Sequence, residues 1–119
     1  MKAKLKRLHS PDVDLQNYWP EDSRNFSFLL QAMIGPADTE GEESFDIEVC
    51  TPEWLRSQYS DSEVLSGHHF LIVFDYNLDQ IKNYISHYCE RCEADNWEQL
   101  ANKLNRLGKW EFEDYSPSE

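Results

Sequence analysis

The chain predicts an α+β fold: a single, mainly antiparallel sheet of about four strands, a short helix before the last strand, and two C-terminal helices packed on one face. Three observations predict it. Charged and apolar residues alternate with a period of two in residues 2–10 and 43–50. Two continuous apolar runs, 26–35 and 68–76, read as strands buried on both sides. Beyond residue 77 the apolar residues fall at helical spacing, as far as about Leu104. The length of 119 residues fits one domain, 1–119. A chain of this size buries roughly two-thirds of its unfolded surface, so a core needs no covalent staple.

Taken in order, "KAKLKRLHS" (2–10) is a strand at an edge, where Lys2, Lys4 and Lys6 discourage pairing with another sheet. Residues 10–25, "SPDVDLQNYWPEDSRN", are rich in proline, aspartate and asparagine and form a loop, with Tyr18 and Trp19 packing part of it down. "FSFLLQAMIG" (26–35) is a central strand, "PADTEGEE" turns the chain, and "ESFDIEVC" (43–50) returns as the second arm of a hairpin. "TPEWLRSQY" starts a helix: Thr51 caps it, Pro52 suits the first helical position, and Glu53 favours the positive end of the helix dipole. "HHFLIVFDY" (68–76) is the most apolar run and is expected to be a second central strand. In the next helix Leu78, Ile81, Ile85, Tyr88 and Cys92 form the buried stripe. In the last, Asp95 and Glu98 make a capping-box pair, Trp97, Leu100, Ala101 and Leu104 face the core, and Gly108 stops the helix. "KWEFEDY" alternates again as a short strand or packed tail, and 116–119 is expected to be disordered.

Composition narrows the function classes. Twenty-three acids against eleven bases leave a net charge of −12, which opposes binding to nucleic acid or to an anionic membrane and favours a basic partner. The opening "MKAKLKRLHS" has a positive start with no apolar stretch behind it, so no secretory signal is expected, and no apolar run approaches the ~18 residues of a membrane span. Three cysteines are too few for a disulfide framework, and a reducing cytoplasm is the expected compartment.

No glycine-rich phosphate loop, nucleophile elbow or H-E-x-x-H pattern is present, and no enzyme is expected. "HYCERC" sets His87, Cys89 and Cys92 close together, which keeps a small metal-binding or regulatory protein as the alternative. A zinc site needs a second ligand pair at usable spacing, and none is evident, so Cys89 and Cys92 read as packing residues with no metal or cofactor. A C-x-x-C near the end of a helix is also misplaced for thiol redox chemistry. His68 and His69 read as strand-end residues.

The charge distribution is more informative. Residues 36–63 hold nine acids and a single base, Arg56, whereas residues 2–7 carry four bases. Clustered like charge is self-repulsive, so folding alone does not favour it. The candidate docking residues are Glu42, Glu43, Asp46, Glu48 and Glu53, with Trp54 as an aromatic anchor if exposed and a packing residue if not. On a strand Asp46 and Glu48 share one face and Phe45, Ile47 and Val49 the other. The acids are therefore expected to stand in water unpaired, with their counter-charges on a partner.

"SPDVDLQNYWPED", "FSFLLQAMIGP", "GEESFDIEVCTPEWL" and the closing "GKWEFEDY" resemble the immunity protein 8 family of bacterial polymorphic-toxin systems. The resemblance runs from Ser10-Pro11-Asp12 to Tyr115, and its motifs are structural rather than catalytic. It implies an intracellular antidote, encoded beside a toxin, that binds the toxin's C-terminal domain. Combined with the charge, it points to stoichiometric occlusion of a basic nuclease.

Overall fold

The computed structural model describes residues 1–113; the expected disordered tail lies outside the described residues. Five strands and three helices follow one another as β1 (Ala3–His9), β2 (Ser27–Pro36), β3 (Glu43–Cys50), α1 (Pro52–Gln58), β4 (Phe70–Ile72), α2 (Leu78–Glu90), α3 (Trp97–Leu104) and β5 (Lys109–Trp110). The strands make one mixed, mostly antiparallel sheet in the order β1-β2-β3-β4, with β5 added to β3. The class is the expected α+β, with five strands rather than about four.

The alternating segments behave as their patterns require. In β3 the side chains of Phe45, Ile47 and Val49 are fully buried, and in β2 so are Leu30, Ala32 and Ile34. These face Ile81, Ile85 and Cys89 of α2 and Leu100, Ala101 and Leu104 of α3 in one core. β1 forms the edge, paired antiparallel to β2 with a register shift between Leu5 and Arg7. The Ser10-Pro11-Asp12 turn closes it: Ser10 Oγ accepts from the Asp12 and Val13 amides at 3.1 and 3.2 Å. The Asp12 carboxylate then accepts from the Leu29 amide at 2.8 Å, in place of the ladder partner that β1 no longer supplies. Tyr18 packs edge-on against Phe28 and Tyr76 and pins the long loop, while Trp19 touches the Tyr76 ring and remains 69% exposed.

The helix signals hold at α1, where Thr51 caps by accepting from the Trp54 amide and Pro52 and Glu53 occupy the first turn. Two details differ elsewhere. α3 is capped by Asn96, whose side chain accepts from the Gln99 amide, rather than by the Asp95–Glu98 pair. Cys92 lies past the end of α2, where Arg91 is the cap, and the third buried position of the stripe is Cys89. Gly108 also does something other than end a helix. α3 stops at Leu104, and Gly108 lies so close to β3 that an added Cβ would sit 2.7 Å from Ile47 Cγ1 and 3.2 Å from Asp46 O.

The largest departure is the apolar run 68–76. Only Phe70–Ile72 is a strand, and it is an outer strand that runs parallel to β3 rather than a central one. The reason is the limited length of β3's outer edge. Glu48–Cys50 pair with β4, and Phe45–Asp46 pair with Trp110 and Lys109 of β5. Two short strands divide one edge, so neither can be long. The run is apolar because it serves two surfaces: Leu71 and Val73 pack against the core, whereas Ile72 and Phe74 are exposed.

The approach at Gly108 generates a prediction. Gly108→Ala should lower unfolding free energy by about 1–3 kcal/mol, because β3 backbone flanks the new methyl and cannot yield as a flexible side chain would. Urea unfolding measures it, and an unchanged midpoint would show that β5 is not held this close to β3.

Candidate partner-binding surface

β3 carries most of the candidate docking acids, and its pleat sorts them. Glu42, Ser44, Asp46 and Glu48 share one parity and stand on the sheet face opposite α2 and α3. Two of these acids have partners within the chain. Arg7 Nε donates to Glu42 Oε1 at 2.7 Å, spanning β2. Asp46 Oδ1 accepts from Ser44 Oγ at 2.9 Å, with Gln31 Nε2 at 3.4 Å, and Lys109 stands directly opposite Asp46 on β5. The expectation of unpaired acids is therefore corrected here. Charge counted along the chain separated the basic segment 2–7 from the acidic one. The sheet brings them together, and Lys6 Nζ likewise donates to Thr39 O at 2.8 Å. The Arg7–Glu42 pair adds little stability, about 0–1 kcal/mol, because the Arg7 side chain is 58% exposed.

Glu43 differs from the others. It shares the odd parity of Phe45 and Ile47, which turns it to the helix face. There its Oε2 accepts from two indoles, Trp97 Nε1 at 2.8 Å and Trp110 Nε1 at 2.6 Å. One carboxylate thus ties the first turn of α3 and the strand β5 to the start of β3. The signal in the sequence was its position: an acid in the buried register needs a hydrogen-bond donor, and the nearby tryptophans carry one each.

The carboxylates of Glu48 and Glu53 make no hydrogen bond or ion pair among the described residues. Glu48 is half-buried and stands beside Phe70 of β4. Glu53 is exposed at the start of α1. Trp54 is half-buried and packs edge-on against Tyr59, which packs in turn on Phe70. These three residues collect at the β4 end of the sheet, away from the compensated middle of β3. That end also holds what the sequence did not reveal. Val64, Leu65, Ile72, Phe74 and Tyr84 are five of the eight large hydrophobic side chains exposed among the described residues.

The three thiols and His69 serve the fold. Burial pushes the Cys50 thiol up to about 11, helped by the charge of Glu48. Burial likewise pushes Cys89 up to about 12, with Cys92 and Glu90 adding to it. Cys92 is raised as well, again chiefly by burial. Such thiols keep their protons at neutral pH and are weak nucleophiles and metal ligands. Among the described residues no group of three or more His, Cys, Asp or Glu is arranged to hold a metal ion. His69 opens β4 in a left-handed conformation, φ 65°, and its Nε2 lies 2.7 Å from Asn105 O. It fastens the start of β4 to the end of α3.

Glu43 and Glu53 should respond oppositely to truncation. Glu43→Ala leaves two indole N–H groups without an acceptor and should cost about 2 kcal/mol of stability. Glu53→Ala should change it by no more than about 0.5 kcal/mol. Thermal or urea unfolding of the two variants checks this, and equal effects would remove the structural role assigned to Glu43.

No helix among the described residues is long and apolar enough to cross a membrane. No curated protein and no solved structure matches the chain. A family profile described as Immunity protein 8 matches residues 3–115, from the first residue of β1 to beyond β5. The match takes in the turn at Ser10, the capped α1 and the Glu43–tryptophan tie. The chain belongs to the immunity protein 8 family.

Proposed function

We propose that this chain neutralises one cognate toxin by binding its C-terminal domain and covering the surface that the toxin needs for its substrate. The toxin domain is basic, and its substrate is a nucleic acid. Membership of an immunity-protein family over residues 3–115 is the observation that carries the antidote role, since such proteins belong to toxin systems. The net charge of −12 supports a basic partner: the same field that repels nucleic acid attracts a surface built to hold it. Attraction of this kind lifts association from about 10⁵–10⁶ toward 10⁸–10⁹ M⁻¹s⁻¹. Speed matters for an antidote because one free toxin molecule turns over repeatedly.

Among the six candidate docking residues, Glu48, Glu53 and Trp54 are best supported, because the two acids lack partners and all three gather at the β4 end. Glu42 and Asp46 extend the contact along β3, with Glu42 already paired to Arg7 and Lys109 opposite Asp46 in the ladder. Glu43 supports the surface from behind through its two tryptophans. Binding requires no catalytic group and no cofactor on this chain.

Two measurements test this. Co-expression with the toxin domain encoded beside it should abolish killing by that toxin and leave unrelated toxins active; continued killing at equal expression contradicts the reading. Reversing Glu48 and Glu53 together to Lys should slow toxin association about tenfold at low salt, with the gap closing as about 0.5 M salt screens the field. An on-rate that ignores both the reversal and the salt would remove the electrostatic part.

A further inference from the structure

The two edges of the sheet are treated differently. β1 presents Lys2, Lys4 and Lys6 along its segment, a guard against another strand. β4 presents none: Phe70 to Phe74 is apolar throughout, and among the described residues no strand lies on its outer side. The ladder fixes which backbone groups face outward. His69 O accepts from the Glu48 amide at 3.0 Å and the Val73 amide donates to Cys50 O at 2.8 Å. Residues 69, 71 and 73 therefore turn to β3, and Phe70 and Ile72 turn away. The Phe70 amide is taken by Gly67 O at 3.3 Å. The Ile72 N–H and C=O point to that outer side and have no hydrogen-bond partner among the described residues.

Two grooves flank that outer side, and Ile72 lines both. One, about 610 Å³, lies toward α1 and includes Leu65, Tyr59, Glu53 and Glu63. The other, about 540 Å³, lies toward α2 and includes Phe74, Asp75, Gln80 and Tyr84. Successive side chains of a strand point to opposite faces, so a chain laid beside β4 would send them alternately into the two grooves. Charge selects the occupant. The α1 groove holds Glu53 and Glu63 against Arg56, and the α2 groove holds Asp75 and no base. A hydrogen bond from Ser23, with the Tyr76 amide next, holds the Asp75 carboxyl below the usual carboxylate range, so it stays ionised.

Resting on the reading above, we propose that β4 receives an extended basic segment of the toxin domain as an added strand. Main-chain bonds form at Ile72, and alternating apolar and basic side chains fill the grooves on its two sides. Backbone pairing at an open edge supplies affinity, and the grooves supply specificity. The three-residue length of β4 keeps the edge from templating indiscriminate pairing. Phe74, 77% exposed, is the side chain whose burial on complex formation would contribute most.

Amide hydrogen exchange, followed by NMR on the full chain with and without the toxin domain encoded beside it, tests the proposal. The expected result is that the Ile72 amide exchanges freely in the isolated protein and slows at least a hundredfold in the complex. Ile72→Pro removes that outward N–H without touching the bonds to β3, and should weaken toxin binding at least tenfold; Phe74→Glu should do the same if the proline variant does not fold. A tight complex in which Ile72 still exchanges freely, and which Phe74→Glu leaves at wild-type affinity, overturns the strand addition and leaves the antidote reading standing. Failure of the toxin domain to bind at all overturns both. Protection of Ile72 in the free protein that disappears on dilution would make a second copy of this chain the occupant, and overturns the proposal.

Discussion

The outer edge of β3 is the constraint on which the rest of this fold depends. One eight-residue strand pairs with β2 along one side and must serve two strands on the other. β5 takes the first part and β4 the last, so each is short, and each is held by a tie from outside the ladder. For β5 the tie is the Glu43 carboxylate on Trp110; for β4 it is His69, bonded to Asn105 at the end of α3. Asn105 closes the loop between them, since its side chain accepts from the Trp110 amide at 2.7 Å. Sheet edge, α3 and the two short strands are therefore one mechanical unit. Its by-product is a β4 whose outward Ile72 backbone and exposed Ile72 side chain, with Phe74 next to it, have no strand beside them among the described residues.

The same geometry alters the meaning of the charge. A net −12 is a property of the chain, but a partner meets charge as it is placed in space. Around the middle of β3 the antiparallel sheet sets Arg7, Lys109 and Lys6 against the acids and turn that lie far from them in sequence. At the β4 end, Glu48 beside Phe70 and Glu53 in the groove with Ile72 make no ion pair among the described residues, and Arg56 is the one base in that groove against Glu53 and Glu63. Acid rim beside apolar centre is the arrangement in which charge guides encounter and buried aromatic area sets dissociation.

Local signals were legible in the sequence and long-range ones were not. The alternation of Phe45, Ile47 and Val49, the Thr51-Pro52-Glu53 start and the stripe of Leu100, Ala101 and Leu104 each depend on neighbours within one turn or one strand, and each appears as expected. β4 was misplaced because an apolar run identifies burial without saying which edge it joins, and its limit is set by a strand forty residues later. Asn96 displaced Asp95 as a cap by a single position, which propensity cannot resolve because both residue types cap equally well. The docking residues divided for the same reason. Glu43 fell to the helix face by parity, a local fact, whereas the Arg7–Glu42 pair depends on pairing across 35 positions.

The central claim is that the contact proposed for the toxin centres on the β4 end of the sheet, with the acidic middle of β3 at its margin. A map of amide chemical-shift changes on adding the cognate toxin domain tests it most directly. The account predicts changes concentrated in α1, in residues 64–75 and in the first half of α2, with β1 and the outer surface of α3 undisturbed. A footprint centred on β1, Glu42 and Asp46, with Ile72 and Phe74 unmoved, would contradict it.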